Sequence, residues 1–397
     1  MPSNNILPPE TQKILKDIPS LLNKTFPIPS RFRSALPSQI AELSRLFTNG
    51  RGDRSLSYLG QPNFLSAYLH YFLPWNLYRL CIVLHSLDIT LSCGDTITDL
   101  GSGPLAFALA LWISRPDLRK IPLKINCIDR CSPALEAGKK FFAAVAGENI
   151  WKINLIRDNI DLRRTNVTHN KKQAALVCAA NLFNEIYERL PHNNINGLRR
   201  IANNAARLMH NEASADACIL TMEPGVPQSG RFISFLRAAF MEMGRSPVSP
   251  CTHTAVCPLN GGKKRWCHFA YDTVDAPKEL HRLSSAAGIP KERLVLSYLL
   301  TGAVSKTRHS SEKTDREKKQ DVTQEVRSIS DAFPLPHNRF GRYGCCAQGL
   351  VLLAGEKKRV EGIGSGSLLT QVFAANTSVR NTSERDAKSG ALILEVK

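Results

Sequence analysis

Thr98-Asp99-Leu100-Gly101-Ser102-Gly103-Pro104 stands where the strand-like run TITDL gives way to the helical pattern PLAFALALWI. At the C-terminal edge of a parallel sheet, glycines let the backbone turn tightly and come close to a ligand, and the helix that follows offers unpaired N–H groups. A nucleotide crevice forms at such a place. Phosphate-binding loops usually read G-x-G-x-x-G or end in GK[ST], whereas Gly103 is followed here by Pro104-Leu105-Ala106. A cofactor carrying a pyrophosphate is therefore disfavoured.

Outward from this stretch, short apolar runs alternate with amphipathic ones: LKINCID, PALEAGKKFFAAVA, KINLIRD, AALVCAANLF, GLRRIANNAARLMH, DACILTME and GRFISFLRAAFMEMG. Strand alternating with helix implies a doubly wound, mostly parallel α/β sheet. Before it, from Glu10 to about Leu87, apolar residues recur at spacings of three and four, which is a helical texture. The spacing predicts an N-terminal helical region over 1–90, a cofactor-binding α/β domain over 91–248 and a cysteine-rich region with further strands over 249–373. Within the last, the polar segment near 304–328 reads as a disordered insert, and 374–397 as a loosely ordered tail.

The second strand, INCIDR, ends in Asp129, twenty-six residues beyond Gly103, where a carboxylate accepts hydrogen bonds from ribose hydroxyls. The fourth ends in Ala180-Asn181-Leu182-Phe183-Asn184-Glu185 and the fifth in Met222-Glu223-Pro224-Gly225, so Asn181, Asn184, Glu185 and Glu223 face cofactor or acceptor, or cap the helices that follow. An acid just before the glycines, as in Asp99-Leu100-Gly101-Ser102-Gly103, resembles motif I of class I methyltransferases. That resemblance implies S-adenosylmethionine as cofactor, held by Asp99, Gly101, Ser102, Gly103, Asp129, Asn181 and Glu185.

Lys and Arg number 52 against 34 Asp and Glu, a formal charge of +18 over 397 residues. Such a surplus draws a protein to polyanions, and nucleic acid is the commonest of them. No apolar span is long enough to cross a bilayer, and MPSNNILPPETQKILKD lacks the basic flank and apolar core of a secretory signal. The expectation is a cytoplasmic, monomeric protein without a membrane partner.

In a reducing compartment, the 11 cysteines serve packing, catalysis or metal binding. Cys81, Cys93, Cys127, Cys131, Cys178 and Cys218 lie in or beside apolar runs and are expected in the core. Cys251, Cys257 and Cys267 sit in the aperiodic SPCTHTAVCPLNGGKKRWCHF, and Cys345-Cys346 follow later. Four thiolates on such loops satisfy either tetrahedral zinc or a cubane iron-sulfur cluster, and His253 and His268 are substitute ligands.

EPGVPQSGRFISFLRAAFMEMG, SPCTHTAVCPL, KRWCHF and LSSAAGIPKERLVLSYLL together closely resemble a methyltransferase-like family associated with the small ribosomal subunit in bacteria and mitochondria. The likeness runs from about Tyr58 to Leu300. It implies a class I methyltransferase sheet carrying a four-iron cluster on Cys251, Cys257, Cys267 and Cys345 or Cys346. It also implies the small subunit and its ribosomal RNA as partners and a role in small-subunit assembly, and the leading expectation for the activity is S-adenosylmethionine-dependent methylation of that RNA. A non-catalytic assembly factor built on the same scaffold and a small-molecule methyltransferase are the alternatives. No catalytic side chain is marked in the sequence, because methyl transfer demands positioning rather than a nucleophile from the protein.

Overall fold

Strand β1 (Thr96–Leu100) is buried along all but its first residue, as its β-branched Thr96, Ile97 and Thr98 suit. It pairs in parallel with β2 (Lys124–Asp129) on one side and β4 (Ala174–Ala180) on the other, and β2 pairs in parallel with β3 (Lys152–Arg157). The computed structural model describes residues 7–48, 58–163, 173–187, 190–191, 194–259, 265–304, 322–373 and 384–396. Its contacts divide the chain into two compact units, one from Ile6–Leu220 and Asp272–Leu294, the other chiefly from Thr221–Tyr271 and Val295–Lys397.

In the first unit the strands lie in the order β3-β2-β1-β4-β5, where β5 is Ala213–Pro224 and runs on into the second unit. The chain is mixed α/β around a central sheet. Helices α1 (Pro9–Thr25), α2 (Ser30–Arg33), α3 (Leu36–Thr48) and α4 (Pro62–Ala67) lead through a π-helical stretch, Tyr68–Phe72, into α5 (Leu73–Ser86). These are the helices the N-terminal periodicity predicts. Helix α6 (Ala106–Ser114) follows the glycine turn and is buried from Phe107 onward, because AFALALWI is apolar on every face. Helix α7 (Ser132–Ala146) follows β2, α8 (Phe183–Tyr187) follows β4, and α9 (Ile195–Glu212) begins where Asn194 accepts the Gly197 N–H at 2.8 Å.

In the second unit, α10 (Pro227–Glu242) follows β5, and β8 (Arg293–Val304) stands between β5 and an antiparallel β6 (Arg245–Ser249), with β7 (Phe269–Asp272) also on β8. Helix α11 (Lys278–Ala286) belongs to the first unit. A second sheet has the order β13-β9-β11-β12-β14, built from β9 (Val322–Ser328), β11 (Arg339–Cys346), β12 (Gly349–Gly355), β13 (Leu368–Phe373) and β14 (Leu392–Val396), with β10 (Phe333–Leu335) on β11. Among the described residues its strands pair antiparallel except β12 with β14, and α12 (Lys357–Gly362) joins β12 to β13. The order is like that of an oligonucleotide-binding fold, with β13 and β14 as its outer strands.

Two expectations need correction here. The loosely ordered tail does not extend to Leu392–Val396, which forms β14 because its alternating Leu392, Leu394 and Val396 pack on Val326 and Val351. The insert expected near 304–328 lies outside the described residues over 305–321, and its end forms β9.

Candidate cofactor crevice and cysteine pocket

Strand order reverses between β1 and β4, so the loops leaving β1, β2 and β4 open onto one crevice at the C-terminal ends of the strands. The first loop is folded down on β2: the N–H groups of Gly101 and Ser102 donate to the Ile128 carbonyl at 2.8 and 3.0 Å. Gly103 N–H donates to Asp129 Oδ2 at 2.9 Å, and Cys131 N–H to Asp129 Oδ1 at 2.8 Å. Gly101 has φ +73°, and a Cβ there would stand 2.7 Å from Leu182 Cδ1. The glycine is thus required by backbone and Leu182, rather than by a ligand in its place. From behind, α7 presses Gly138 so close that a Cβ would meet the Pro104 carbonyl carbon at 2.5 Å.

Two adjoining cavities share Gly101, Asp129, Arg130, Asn181 and Glu185. The larger, about 630 Å³, continues over Asp158–Arg163 toward Arg200 and Asn204; the smaller is closed by Tyr58, Leu59, Tyr68 and Asn76 from the N-terminal helices and by Ser102 and Gly103. Of the seven cofactor residues marked in the sequence, Gly101, Ser102, Gly103, Asp129, Asn181 and Glu185 line these cavities. Asp99 does not. It lies beneath the loop, 1% exposed, in register with Cys127 and Cys178, and its Oδ2 has no hydrogen-bond partner among the described residues. Burial pushes its carboxyl up to about 7. Burial likewise raises Asp129, against the pull of the Cys131 and Gly103 N–H groups.

Asn184 and Glu223 line neither cavity, and Glu223 is fully buried in the second unit. Asn181 takes a left-handed backbone, φ +55°, at the turn out of β4. Glu185 accepts from Tyr58 Oη at 2.7 Å and has Arg130 Nη2 at 3.4 Å. Tyr58, Tyr68, Asn76, Arg130 and Gly138 were not marked in the sequence. Only Gly138, a glycine inside a helical pattern, carries a signal that points to close packing.

A family model described as mitochondrial small ribosomal subunit Rsm22 matches residues 67–328, from the π-helical stretch through the crevice to β9. The chain belongs to the Rsm22 family. No curated protein matches it. Among solved structures, PH0851 is 13% identical over 57% of this chain, which spans 45% of that protein, with a TM-score of 0.34. Haemonchus contortus phosphoethanolamine N-methyltransferase 2, in complex with S-adenosylhomocysteine, is 8% identical over 62% of this chain and 59% of its own, TM-score 0.34. Precorrin-6y C5,15-methyltransferase from Geobacter metallireducens is 12% identical over 57% of this chain and 89% of its own, TM-score 0.31. These likenesses are too distant to carry an argument, and the α/β assignment of this Rsm22-family chain rests on its own strand order.

The second unit gathers the aperiodic cysteines. Cys251, Cys257, Cys267 and Cys345 line one small pocket with His253, Arg237 and Arg327. Alternation along β11 separates the two adjacent cysteines: Cys345 faces this pocket, while Cys346 is fully buried among Val326, Val351 and Leu353. His253 Nε2 lies 3.3 Å from Cys345 Sγ. Arg237, 4% exposed, holds the loop by donating from Nη2 to the carbonyls of His253 (2.7 Å) and Ala255 (2.9 Å), and its Nε has no hydrogen-bond partner among the described residues. Burial raises the thiols of Cys251, Cys267 and Cys345.

Among the described residues no three His, Cys, Asp or Glu side chains are grouped so as to hold a metal ion. The metal-binding addition expected over 249–373 is thus not shown. What the second unit has is a pocket of four thiols and two guanidinium groups, without the ligand set of a single zinc. His268 lies outside the pocket lining, stacked on Trp266 at 4.6 Å. Cys93, expected in the core, is exposed. Lys263 and Lys264 lie outside the described residues, whereas Arg265 rests over the Tyr343 ring at 5.9 Å.

Proposed function

We propose that this Rsm22-family chain binds S-adenosylmethionine in the crevice of a class I methyltransferase-type sheet and methylates ribosomal RNA of the small subunit. The observation that carries the reading is the Gly103–Asp129 hydrogen bond, which ties the glycine turn to the acid of the next strand. Asp129 spends one lone pair of each oxygen on backbone N–H groups and keeps others for ribose hydroxyls. A cavity of about 630 Å³ is in the ordinary range for a cofactor of this size. When bound, the cofactor supplies an activated methyl group. The residues of this chain hold and orient: Gly101, Ser102 and Gly103 give the close backbone, and Asn181 and Glu185 face the acceptor side. No side chain needs to be a nucleophile, so the rate comes from positioning and from excluding water.

RNA as partner is supported by the +18 charge and by a second sheet with a strand order like that of oligonucleotide-binding folds. The family description supports mitochondria over plain cytoplasm. Among the described residues no helix is long and apolar enough to cross a membrane. The test is to compare methylation of small-subunit ribosomal RNA in cells with and without this protein. A lost modification, restored by wild type and not by Asp129→Ala, supports the enzyme; an unchanged pattern removes it.

A second reading, a non-catalytic assembly factor, is favoured by the cysteine pocket. Four thiols in one pocket, beside the buried Arg237 and the half-buried Arg327 whose charges offset an anionic cluster, fit an iron-sulfur group on Cys251, Cys257, Cys267 and Cys345. Iron and sulfide in protein purified without oxygen would support it; stoichiometric zinc or no metal would oppose it. The chain is proposed to be monomeric, with its domains near 1–90, 91–248 and 249–373.

A further inference from the structure

Beside the smaller cavity, one helical turn from Asn76 on its wall, stands the half-buried Arg79, with no carboxylate ion-paired to it among the described residues. Arg79, on α5, has a buried Nε without a hydrogen-bond partner among the described residues, and its Nη1 donates to Asn76 Oδ1 at 2.8 Å. The groups acting on it are the neutral phenols of Tyr71 and Tyr68, and it acts in turn on the Lys291 ammonium, which burial and Arg79 together push down to about 8. Two half-buried cations side by side, Arg79 and Lys291, make this end of the cavity favourable for an anion.

The side chains around Arg79 point toward where that anion goes. A guanidinium can only donate, so the amide of Asn76 must turn its oxygen to Arg79 and its nitrogen away. That nitrogen donates to Tyr68 Oη at 3.2 Å. Tyr68 therefore accepts from Asn76, and its own O–H is left to donate. Burial and the Glu185 carboxylate hold Tyr68 above the usual phenol range, so the proton stays on it. Asn76 and Tyr68 both line the cavity that also contains Gly101, Gly103 and Asp129. Each donor in the series Arg79, Asn76, Tyr68 is polarised by the one behind it, and the last one faces the cavity.

We propose that Arg79, Asn76 and Tyr68 form the subsite for an anionic group, the carboxylate of the methionine end of the cofactor, with Tyr68 and Asn76 making the contact and Arg79 orienting them. This rests on the cofactor reading above and adds a direction to it. The amino-acid end lies under the N-terminal helices, and the nucleoside end extends from Asp129 into the larger cavity. It also gives the N-terminal helical region a task, since α5 and the π-helical stretch supply all three residues.

The experiment compares two ligands that differ by that carboxylate, S-adenosylmethionine and decarboxylated S-adenosylmethionine, by calorimetry on the full chain. Wild type is expected to favour the carboxylate form by about tenfold or more, as befits charge-assisted bonds in a buried site. Tyr68→Phe, which removes one oxygen and keeps the ring, should weaken only the carboxylate form and bring the ratio toward one. Arg79→Met, where it folds, should do the same. If wild type binds both ligands equally, or Tyr68→Phe weakens both by the same factor, the subsite is wrong while the cofactor reading stands. If folded wild type binds neither, both fail.

Discussion

Gly103 N–H and Asp129 Oδ2 meet at 2.9 Å across twenty-six residues of chain, and this bond joins the turn after β1 to the end of β2. Through it a single acid fixes the shape of the loop and presents a carboxylate to the crevice. Replacing Gly101 by Val attacks the same turn from the other side. A β-branched residue at φ +73° is strained, and its Cβ would overlap Leu182, so a loss of about 2–4 kcal/mol in stability is expected. Chemical denaturation measures it; a variant as stable as wild type contradicts the turn geometry.

Gly138→Ala tests the support behind the loop. The added methyl meets the Pro104 backbone, which cannot rotate away, so Pro104 and Leu105 must shift toward the crevice. We expect about 1–3 kcal/mol of destabilisation. S-adenosylmethionine affinity should fall by about tenfold, as a displacement of loop backbone does to an oriented ligand. Unchanged affinity in a folded variant would show that the cofactor does not rest on this loop.

Asp99 gives the fold a pH dependence. Its carboxyl is raised from 3.8 to about 7 in the folded chain, so the unfolded chain releases this proton first as pH rises. Stability from this group is complete below the unfolded value, declines between about pH 4 and pH 7, and is level above, for a total of up to about 4 kcal/mol. Asp99→Asn cannot ionise and should lack that decline. Denaturation midpoints for both proteins from pH 4.5 to 8 check it; parallel profiles would mean that Asp99 is not buried as described.

The pair Cys345 and Cys346 separates by alternation. Cys345→Ser should abolish iron in anaerobically purified protein and leave the second sheet intact. Cys346→Ser should keep the iron but cost about 1–3 kcal/mol, because a hydroxyl replaces a thiol among Val326, Val351 and Leu353. Iron analysis with thermal unfolding distinguishes them, and equal iron loss in both would contradict the assignment of Cys345 to the pocket.

Much of this was legible in the sequence because it is local. The glycine turn, the acid at the end of INCIDR and the alternation of apolar runs each sit within a few residues of chain, and they located six of the crevice residues. Asp99 misled because the same acid-before-glycine pattern does not say whether the carboxyl points up to the ligand or down into the sheet; β1 alternation sends it down. Tyr58, Tyr68 and Asn76 were invisible, since a polar residue on an apolar helix reads as surface until the sheet is placed beneath it. The cysteine pocket was half legible: loop composition singled out the right segments, but spacing alone could not choose between Cys345 and Cys346.

The most direct test of the account is binding of S-adenosylhomocysteine to the full chain by calorimetry, in wild type and Asp129→Ala. Asp129 holds both the loop and the ribose side of the crevice, so wild type should bind one ligand per chain and saturate. The variant should bind at least about tenfold more weakly, in line with the loss of charge-assisted hydrogen bonds. Well-folded wild type that gives no heat, and that retains no radiolabelled S-adenosylmethionine in equilibrium dialysis, would contradict the account.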